Sequence, residues 1–103
     1  MKRRGTVSVT PSSGNVFRDI GFSRKEAERL SVRADLLIQL QKVIDSRGLT
    51  QAEIAKILHV TQPRVSDLLR GRIDLFSTDA LLDMLASLGV TVRLVVKAPR
   101  KMA

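Results

Sequence analysis

The chain has 103 residues, with 18 lysines and arginines against 10 acidic residues, so its formal net charge is +8 at pH 7. This length suits one domain with one modest core, and the low aromatic content of 3% predicts that the core is aliphatic and helical. The absence of cysteine and the single histidine exclude disulfides, thiol catalysis and zinc sites built from several Cys or His residues, while the basic excess fits either a polyanionic partner or basic tails that only aid solubility.

Residues 1–16 are expected to form a flexible basic arm. They contain Gly5, Pro11, Ser12, Ser13 and Gly14 and show little hydrophobic periodicity, although the triplet VSV at 7–9 is suited to joining the edge of a sheet. The MKRR start is not followed by the apolar run of a signal peptide, and no later stretch is long enough to cross a bilayer. A cytoplasmic protein that does not bind membranes is therefore expected.

A long helix is predicted from 24 to 47. Ser23 is its expected N-cap, Glu26 completes a capping box, and Gly48 ends the helix. Phe22 is expected to pack against Ala27 as a hydrophobic staple. The apolar stripe expected to face the core is formed by Leu30, Ala34, Leu37, Leu40 and Ile44. A second apolar flank predicts that the helix is covered on two sides, and it consists of Val32, Leu36 and Val43.

Two short helices joined by a tight turn are predicted next. Thr50 caps the first, from 51 to 58, and Glu53 completes its capping box. Thr61 caps the second, which has Gln62 and Pro63 in its first turn and ends before a glycine. Three residues, His-Val-Thr, connect the two helices. The side chains expected to face inward from the second helix are Val65, Leu68 and Leu69.

A last helix and a strand complete the predicted elements. Ser77 caps a helix that ends at Gly89, and Phe76 is expected to pack onto Leu81, which gives four or five helices in all. The leucines expected to be buried are Leu81, Leu85 and Leu88. Residues 90–96, VTVRLVV, are rich in β-branched side chains and predict a strand. It must pair with the VSV triplet, a second subunit or another protein, unless it is a buried extended tail, and we favour a second subunit or a partner.

Two short helices joined by three residues, the second opening with polar side chains, predict a helix-turn-helix. The major groove of DNA, about 12 Å wide, admits one α-helix, and a perpendicular neighbour holds that helix at a fixed angle. Ala55 is small enough for the helices to cross closely, and Val60 and Val65 are suited to filling the angle between them. Core packing alone would explain these three residues equally well.

Residues 49–71, LTQAEIAKILHVTQPRVSDLLRG, resemble the Xre/Cro-like helix-turn-helix domain of lambdoid phage repressors. GNVFRDIGF (14–22) and IDLFSTDALLDMLASLGV (73–90) resemble HigA-type antitoxins of type II toxin-antitoxin systems. The resemblance implies an all-α fold, a five-helix lambda-repressor-like DNA-binding domain with a short C-terminal β-strand. The expected units are the arm 1–16, the DNA-binding domain 17–89 with its helix-turn-helix at 50–70, and the strand and basic tail 90–103.

The function that the resemblance implies is sequence-specific repression of transcription. The antitoxin would neutralise a RelE/HigB-like ribonuclease toxin and repress its own promoter. The alternative is a stand-alone, phage-like regulator without a toxin partner. A third class is a protein-interaction module that has lost DNA binding, or a basic RNA-binding protein.

The family's DNA contacts, carried over by position, fall on two helix starts. Gln51 would meet a phosphate and orient the domain. Gln62 would read adenine N6 and N7, and Arg64 would read guanine O6 and N7 or hold a phosphate. We expect the side chains of Gln62 and Arg64 to point outward, free of internal contacts. The remaining expected contacts are Thr61, Pro63, Ser66, Asp67, Arg70 and Arg72.

Several of these remaining residues have specific expected roles. Pro63 would hold the turn rigid and touch a thymine methyl, and Ser66 would bond a base or a phosphate. Asp67 would accept from cytosine N4 or be a plain surface charge. Arg70 and Arg72 would grip the DNA backbone and so add affinity rather than sequence choice.

His59 is a departure from the family, whose repressors usually have glycine at this turn position. A positive φ is expected there, which histidine tolerates better than most residues. No nucleophile or carboxylate pair stands at a suggestive spacing from His59, so no catalysis, cofactor or metal is expected.

A homodimer is expected as well, because one domain of this type reads too few bases to be specific. A palindromic operator would then receive two recognition helices about 34 Å apart. The strand 90–96 and the flank formed by Val32, Leu36 and Val43 are the two candidate dimer surfaces, and we favour the strand.

Overall fold

Residues 6–9 and 20–97 are described by the structure, a computed structural model. Within these residues the elements, in chain order, are strand β1 (Thr6–Val9), helix α1 (Arg24–Arg47), helix α2 (Gln51–Leu58), helix α3 (Gln62–Leu69), a 3₁₀ turn (Ile73–Leu75), helix α4 (Thr78–Ser87) and strand β2 (Thr91–Leu94). None of these helices is both long and apolar enough to cross a membrane.

The expectation of five helices is wrong for the described residues, which contain four α-helices and one 3₁₀ turn. The reason lies in the chain between α3 and α4. Gly71 has a positive φ of 76° just after α3, and Ser77 already caps α4. The short stretch between them has room for a single 3₁₀ turn, so a fifth α-helix cannot form there.

Helix α1 starts and ends where the capping residues predict. The Ser23 hydroxyl accepts from the Glu26 N–H at 3.2 Å and donates to the Glu26 carboxylate at 3.1 Å. The carboxylate therefore bonds the Ser23 side chain, whereas a full capping box would bond it to the backbone N–H. At the other end Gly48, with φ 61°, donates its N–H to the Asp45 carbonyl. Both ends are decided by bonds between near neighbours in the sequence.

The buried face of α1 differs from the predicted stripe. It consists of Ala27, Ser31, Leu36, Leu37, Leu40 and Ile44, while Leu30 and Ala34 are only partly buried. Leu36 has none of its surface exposed, and Val32 and Val43 pack against the same core. The predicted flank is therefore interior, and its proposed use as a free dimer surface is wrong. The reason is that α4, α3, the 3₁₀ turn and β1 all contact this longest helix, so it is covered on several sides.

Among the described residues, the buried core side chains are aliphatic apart from the Met84 thioether and the ring of Phe76. The burial predicted for Leu81, Leu85 and Leu88 on α4 is confirmed. The inward position expected for Leu69 is wrong, because 37% of its surface is exposed at the end of α3. Helix α3 has eight residues, and Val65 and Leu68 already occupy its inner face. The residue next to Leu68 is therefore turned about 100° away from the core.

The two strands form a parallel pair in which Thr6 aligns with Thr91 and Val9 with Leu94. Residues 6–9 are thus a strand rather than part of a flexible arm. The segment 90–96 pairs with this strand, which contains the VSV triplet, and not with a second subunit or a partner as we favour from the sequence. Parallel pairing requires a long crossover, and helices α1 to α4 supply it. The strand is shorter than predicted because β1 offers four residues to pair with. The rest of the predicted arm and the tail from 98 lie outside the described residues.

Candidate nucleic-acid interface

The start of α2 is held by a complete capping box. The Thr50 hydroxyl accepts from the Glu53 N–H at 3.2 Å, and the Glu53 carboxylate accepts from the Thr50 N–H at 2.9 Å. The backbone bond from Thr50 and a second bond to its side chain lower the pKa of Glu53. Gln51, the first residue of the helix, is exposed beside this cap. The arrangement leaves the positive end of the α2 dipole, with Gln51, open to an anion.

The turn between the helices has the predicted backbone geometry. His59 has φ 58° and ψ 43°, and it is the only described residue other than glycine with a positive φ. The N–H of His59 bonds the Lys56 carbonyl, and the N–H of Val60 bonds the Ala55 carbonyl at 3.0 Å. Ala55 and Val65 are buried, and Val60 packs against the core. The left-handed conformation of His59 ends α2 and turns the chain into α3 while the carbonyls at the end of α2 remain bonded.

Helix α3 is anchored from the inside, so its first turn faces outward. Thr61 caps it by accepting from the Arg64 N–H at 3.3 Å, and Pro63 lies within the first turn. Thr61, Gln62 and Pro63 are all exposed. At the other end, the Gln41 amide on α1 donates to the Leu68 carbonyl at 3.0 Å. The exposure of Gln62 agrees with its expected role.

Arg64 differs from this expectation, because its side chain is half-buried. Its guanidinium carbon lies 4.2 Å from the centre of the Phe76 ring, so the prediction that it is free of internal contacts is wrong. The physical reason is that the cation is attracted to the negative face of the aromatic ring. The contact does not involve the guanidinium N–H donors, which have no hydrogen bond or ion pair within residues 6–9 and 20–97.

The other two arginines of this region are paired with carboxylates. Arg70 Nη2 lies 2.7 Å from Asp67 Oδ1, so one oxygen of Asp67 is already engaged. Arg72 donates to both oxygens of Asp74 at 3.4 Å, and these bonds hold the pKa of Asp74 below its usual value. Both arginines are exposed, so water screens the pairs and they are weak. Each arginine can therefore leave its carboxylate for a phosphate at little cost.

The nine predicted contact residues thus fall into two groups. Those that are exposed, at or beside the start of a helix or beyond the end of α3, are Gln51, Thr61, Gln62, Pro63, Arg70 and Arg72. Those that are half-buried on α3 are Arg64, Ser66 and Asp67. The sequence does not predict that Phe76 is a neighbour of Arg64, since the spacing of Phe76 and Leu81 places the ring against α4 alone. No local spacing signals this contact, because it joins residues twelve positions apart across a turn.

Comparisons with known proteins cover the same part of the chain. A family model described as a helix-turn-helix domain matches residues 16–97. Among solved structures, the chain is similar to a protein described as an XRE-family transcriptional regulator, with a TM-score of 0.68 and 35% sequence identity over 76% of this chain and 89% of that chain. No curated protein matches. The matched residues include α2, the turn and α3, together with the core that supports them.

Proposed function

The chain belongs to the XRE family of helix-turn-helix transcriptional regulators, and we propose that it binds a palindromic DNA operator as a homodimer and represses transcription from it. The observation that carries this proposal is the outward first turn of α3. Gln62 is exposed there and Arg64 has unpaired donors, while Val65 and Leu68 fix the opposite face in the core. A helix of this kind can enter the major groove without disturbing its own domain.

The contacts of α3 with DNA follow from the chemistry of these side chains. The Gln62 amide both donates and accepts, which matches adenine N6 and N7, and the fork of Arg64 matches guanine O6 and N7. Gln51 would meet a phosphate at the N-terminus of α2. Arg70 and Arg72 would exchange their carboxylates for phosphates, and the net charge of +8 favours this exchange.

A selection experiment tests this proposal. The full chain is incubated with a library of random duplexes, and the recovered sequences are checked for a palindrome and for a footprint. We expect Gln62→Ala to lose discrimination at one base pair, and Arg70→Ala to weaken all sequences alike with a salt slope smaller by about one. Gln39→Ala on α1 is the matched control. Equal recovery of all sequences by the wild type would contradict the proposal.

The homodimer is part of the proposal because two half-sites give the specificity that one α3 cannot. Strand β2 pairs with β1 along one edge, and no other strand of residues 6–9 and 20–97 joins its second edge. Next to this edge, Leu94 is 51% and Val96 is 87% exposed. We place the second copy here, since an open edge beside exposed apolar side chains is suited to strand pairing.

Sedimentation equilibrium of the full chain tests the interface. A dimer is expected for the wild type and a monomer for Val96→Lys at the same concentration, with helical content unchanged. Ile20→Lys, which also places a charge on an exposed apolar position, should remain dimeric. A Val96→Lys variant that is still a dimer would place the interface elsewhere.

We further propose that the regulator is the antitoxin of a RelE/HigB-like toxin. The support is the resemblance of residues 14–22 and 73–90 to HigA-type antitoxins. The candidate toxin-binding segments are the arm 1–16, helix α1 from Ser23, and the terminal strand. Co-expression with the product of the adjacent gene tests this role. A stable complex that relieves toxicity is expected, and its absence would favour the stand-alone regulator.

A further inference from the structure

We propose that Phe76 is a positioning residue for Arg64, and that it commits Arg64 to reading a guanine rather than holding a phosphate. This inference rests on the proposed function, because it names the base that the first turn of α3 recognises. It begins from the 4.2 Å distance between the Arg64 guanidinium carbon and the centre of the Phe76 ring.

Phe76 is a rigid platform for this contact. Its side chain is 1% exposed and belongs to the core, between the 3₁₀ turn and α4. A side chain packed on all sides keeps one rotamer, so the ring face stays in one place relative to α3. A flexible arginine that lies on this face therefore loses much of its freedom before DNA arrives.

The stack leaves the chemistry of the guanidinium intact. A cation–π contact uses the flat face of the group, whereas hydrogen bonds use the N–H donors in its plane. These donors have no partner among residues 6–9 and 20–97, unlike those of Arg70 and Arg72, which bond Asp67 and Asp74. Of the three arginines between 61 and 72, Arg64 alone lies over an aromatic ring, and its donors have no partner among the described residues.

This difference separates the two uses of an arginine on DNA. A phosphate accepts a donor from many directions, so an exposed and mobile arginine such as Arg70 is adequate. Guanine O6 and N7 require two parallel donors in one plane, so orientation decides the strength of the contact. A guanidinium that an aromatic ring already holds in place is suited to the second task.

Modified DNA provides the test. In the sequence selected by the wild type, each guanine is replaced in turn by 7-deazaguanine, which lacks the N7 acceptor. We expect wild-type affinity to fall on the order of tenfold at one guanine. Arg64→Ala should show no loss there, and Phe76→Leu should show a smaller loss than the wild type. Binding to random duplex should be the same for the wild type and Phe76→Leu, because the two proteins carry the same charge.

The control separates positioning from stability. Leu85→Val also trims a fully buried side chain, on α4, but leaves the ring in place, so it should keep the full wild-type loss at that guanine. In the absence of DNA, the Arg64 side-chain protons should show an upfield ring-current shift that Phe76→Leu abolishes. A purely structural role for Phe76 predicts that Phe76→Leu and Leu85→Val behave alike at the guanine.

Three outcomes would overturn the inference. The first is a Phe76→Leu variant with the full wild-type loss at the guanine. The second is an Arg64→Ala variant that lowers the salt slope without changing base preference, which would make Arg64 a phosphate contact. Either leaves the proposed function standing. The third is a wild type that selects no sequence, which overturns both.

Discussion

The Gln41 side chain donates a 3.0 Å hydrogen bond to the Leu68 carbonyl, which ties helix α1 to the last turn of α3. This carbonyl also accepts from the Gly71 N–H at 3.1 Å, so it keeps one partner when the amide is removed. We therefore expect Gln41→Ala to lower the free energy of unfolding by about 0.5–1.5 kcal/mol, the range of one net hydrogen bond. Urea denaturation measures this, and Gln39→Ala, on the same helix, is the control. A larger loss, with a changed denaturant slope, would mean that the bond maintains the whole position of α3.

The left-handed conformation of His59 predicts that glycine is the better residue at this position. Replacing His59 by glycine relieves about 1–2 kcal/mol of side-chain strain at φ 58°. The greater freedom of glycine in the unfolded chain cancels about 0.5–1 kcal/mol of this gain. His59→Gly should therefore raise the free energy of unfolding slightly. His59→Val should lower it, because a β-branched residue is a genuine outlier there. Thermal melts of both variants check the sign, and equal melting temperatures would refute the strain.

Ser31 is buried in α1 with 1% exposure, and its hydroxyl has no hydrogen-bond partner within residues 6–9 and 20–97. An unsatisfied buried hydroxyl costs about 1–3 kcal/mol, and alanine is also the better helix former. Ser31→Ala should therefore stabilise the protein by about 1 kcal/mol. Ser46→Ala removes an exposed hydroxyl that donates to the Val43 carbonyl, and it should have little effect. A destabilising Ser31→Ala would show that this hydroxyl has a partner.

The ion pair between Asp67 and Arg70 predicts an increase in DNA affinity when the acid is removed. Asp67→Ala frees Arg70 and removes a negative charge from α3, so binding to random duplex should rise about two- to fivefold at low salt. Asp83→Ala removes an exposed acid from α4 as a control. Fluorescence anisotropy measures both. Unchanged binding to random DNA, with lost discrimination at one base pair, would instead identify Asp67 as a reader of cytosine.

The capping box at Thr50 predicts a pH dependence of stability. The bonds from Thr50 lower the pKa of Glu53 in the folded state below its ordinary value of 4.5. The native state thus favours the ionised form, so this contribution is present above pH 4.5 and is lost as the pH falls through the folded value. Glu53→Gln should have a smaller loss of stability on acidification than the wild type. Urea midpoints on both sides of pH 4.5 measure the difference, and parallel curves would refute the assignment.

The caps and the turn could be predicted from the sequence because their interactions are local. Ser23, Thr50, Thr61 and Ser77 each bond the backbone three residues ahead, so residue type and spacing are sufficient. The positive φ of His59 is expected instead from the resemblance to Xre/Cro-like domains, which usually have glycine at this position. These short-range bonds locate all four α-helices and the start of α3, and hence the exposed position of Gln62.

The sequence is a weaker guide to the buried surfaces. The periodicity of α1 shows two apolar sides but not what covers them, so it predicts a possible dimer surface at Leu36, which lies fully within the core. Leu69 shows the opposite case, since it is apolar and predicted to be buried but is 37% exposed. Apolar character indicates that a residue can be buried, whereas its neighbours decide whether it is.

Residue types and their spacing are thus enough to predict the helix-turn-helix, its caps and the residues that open α3, because hydrogen bonds three or four positions apart depend on nearby residues alone. The pairing of β2 with β1 and the contact of Arg64 with Phe76 are visible in the folded chain and not in its sequence. Both contacts join segments that are brought together by the packing of other helices. The identities of the paired residues do not indicate this packing.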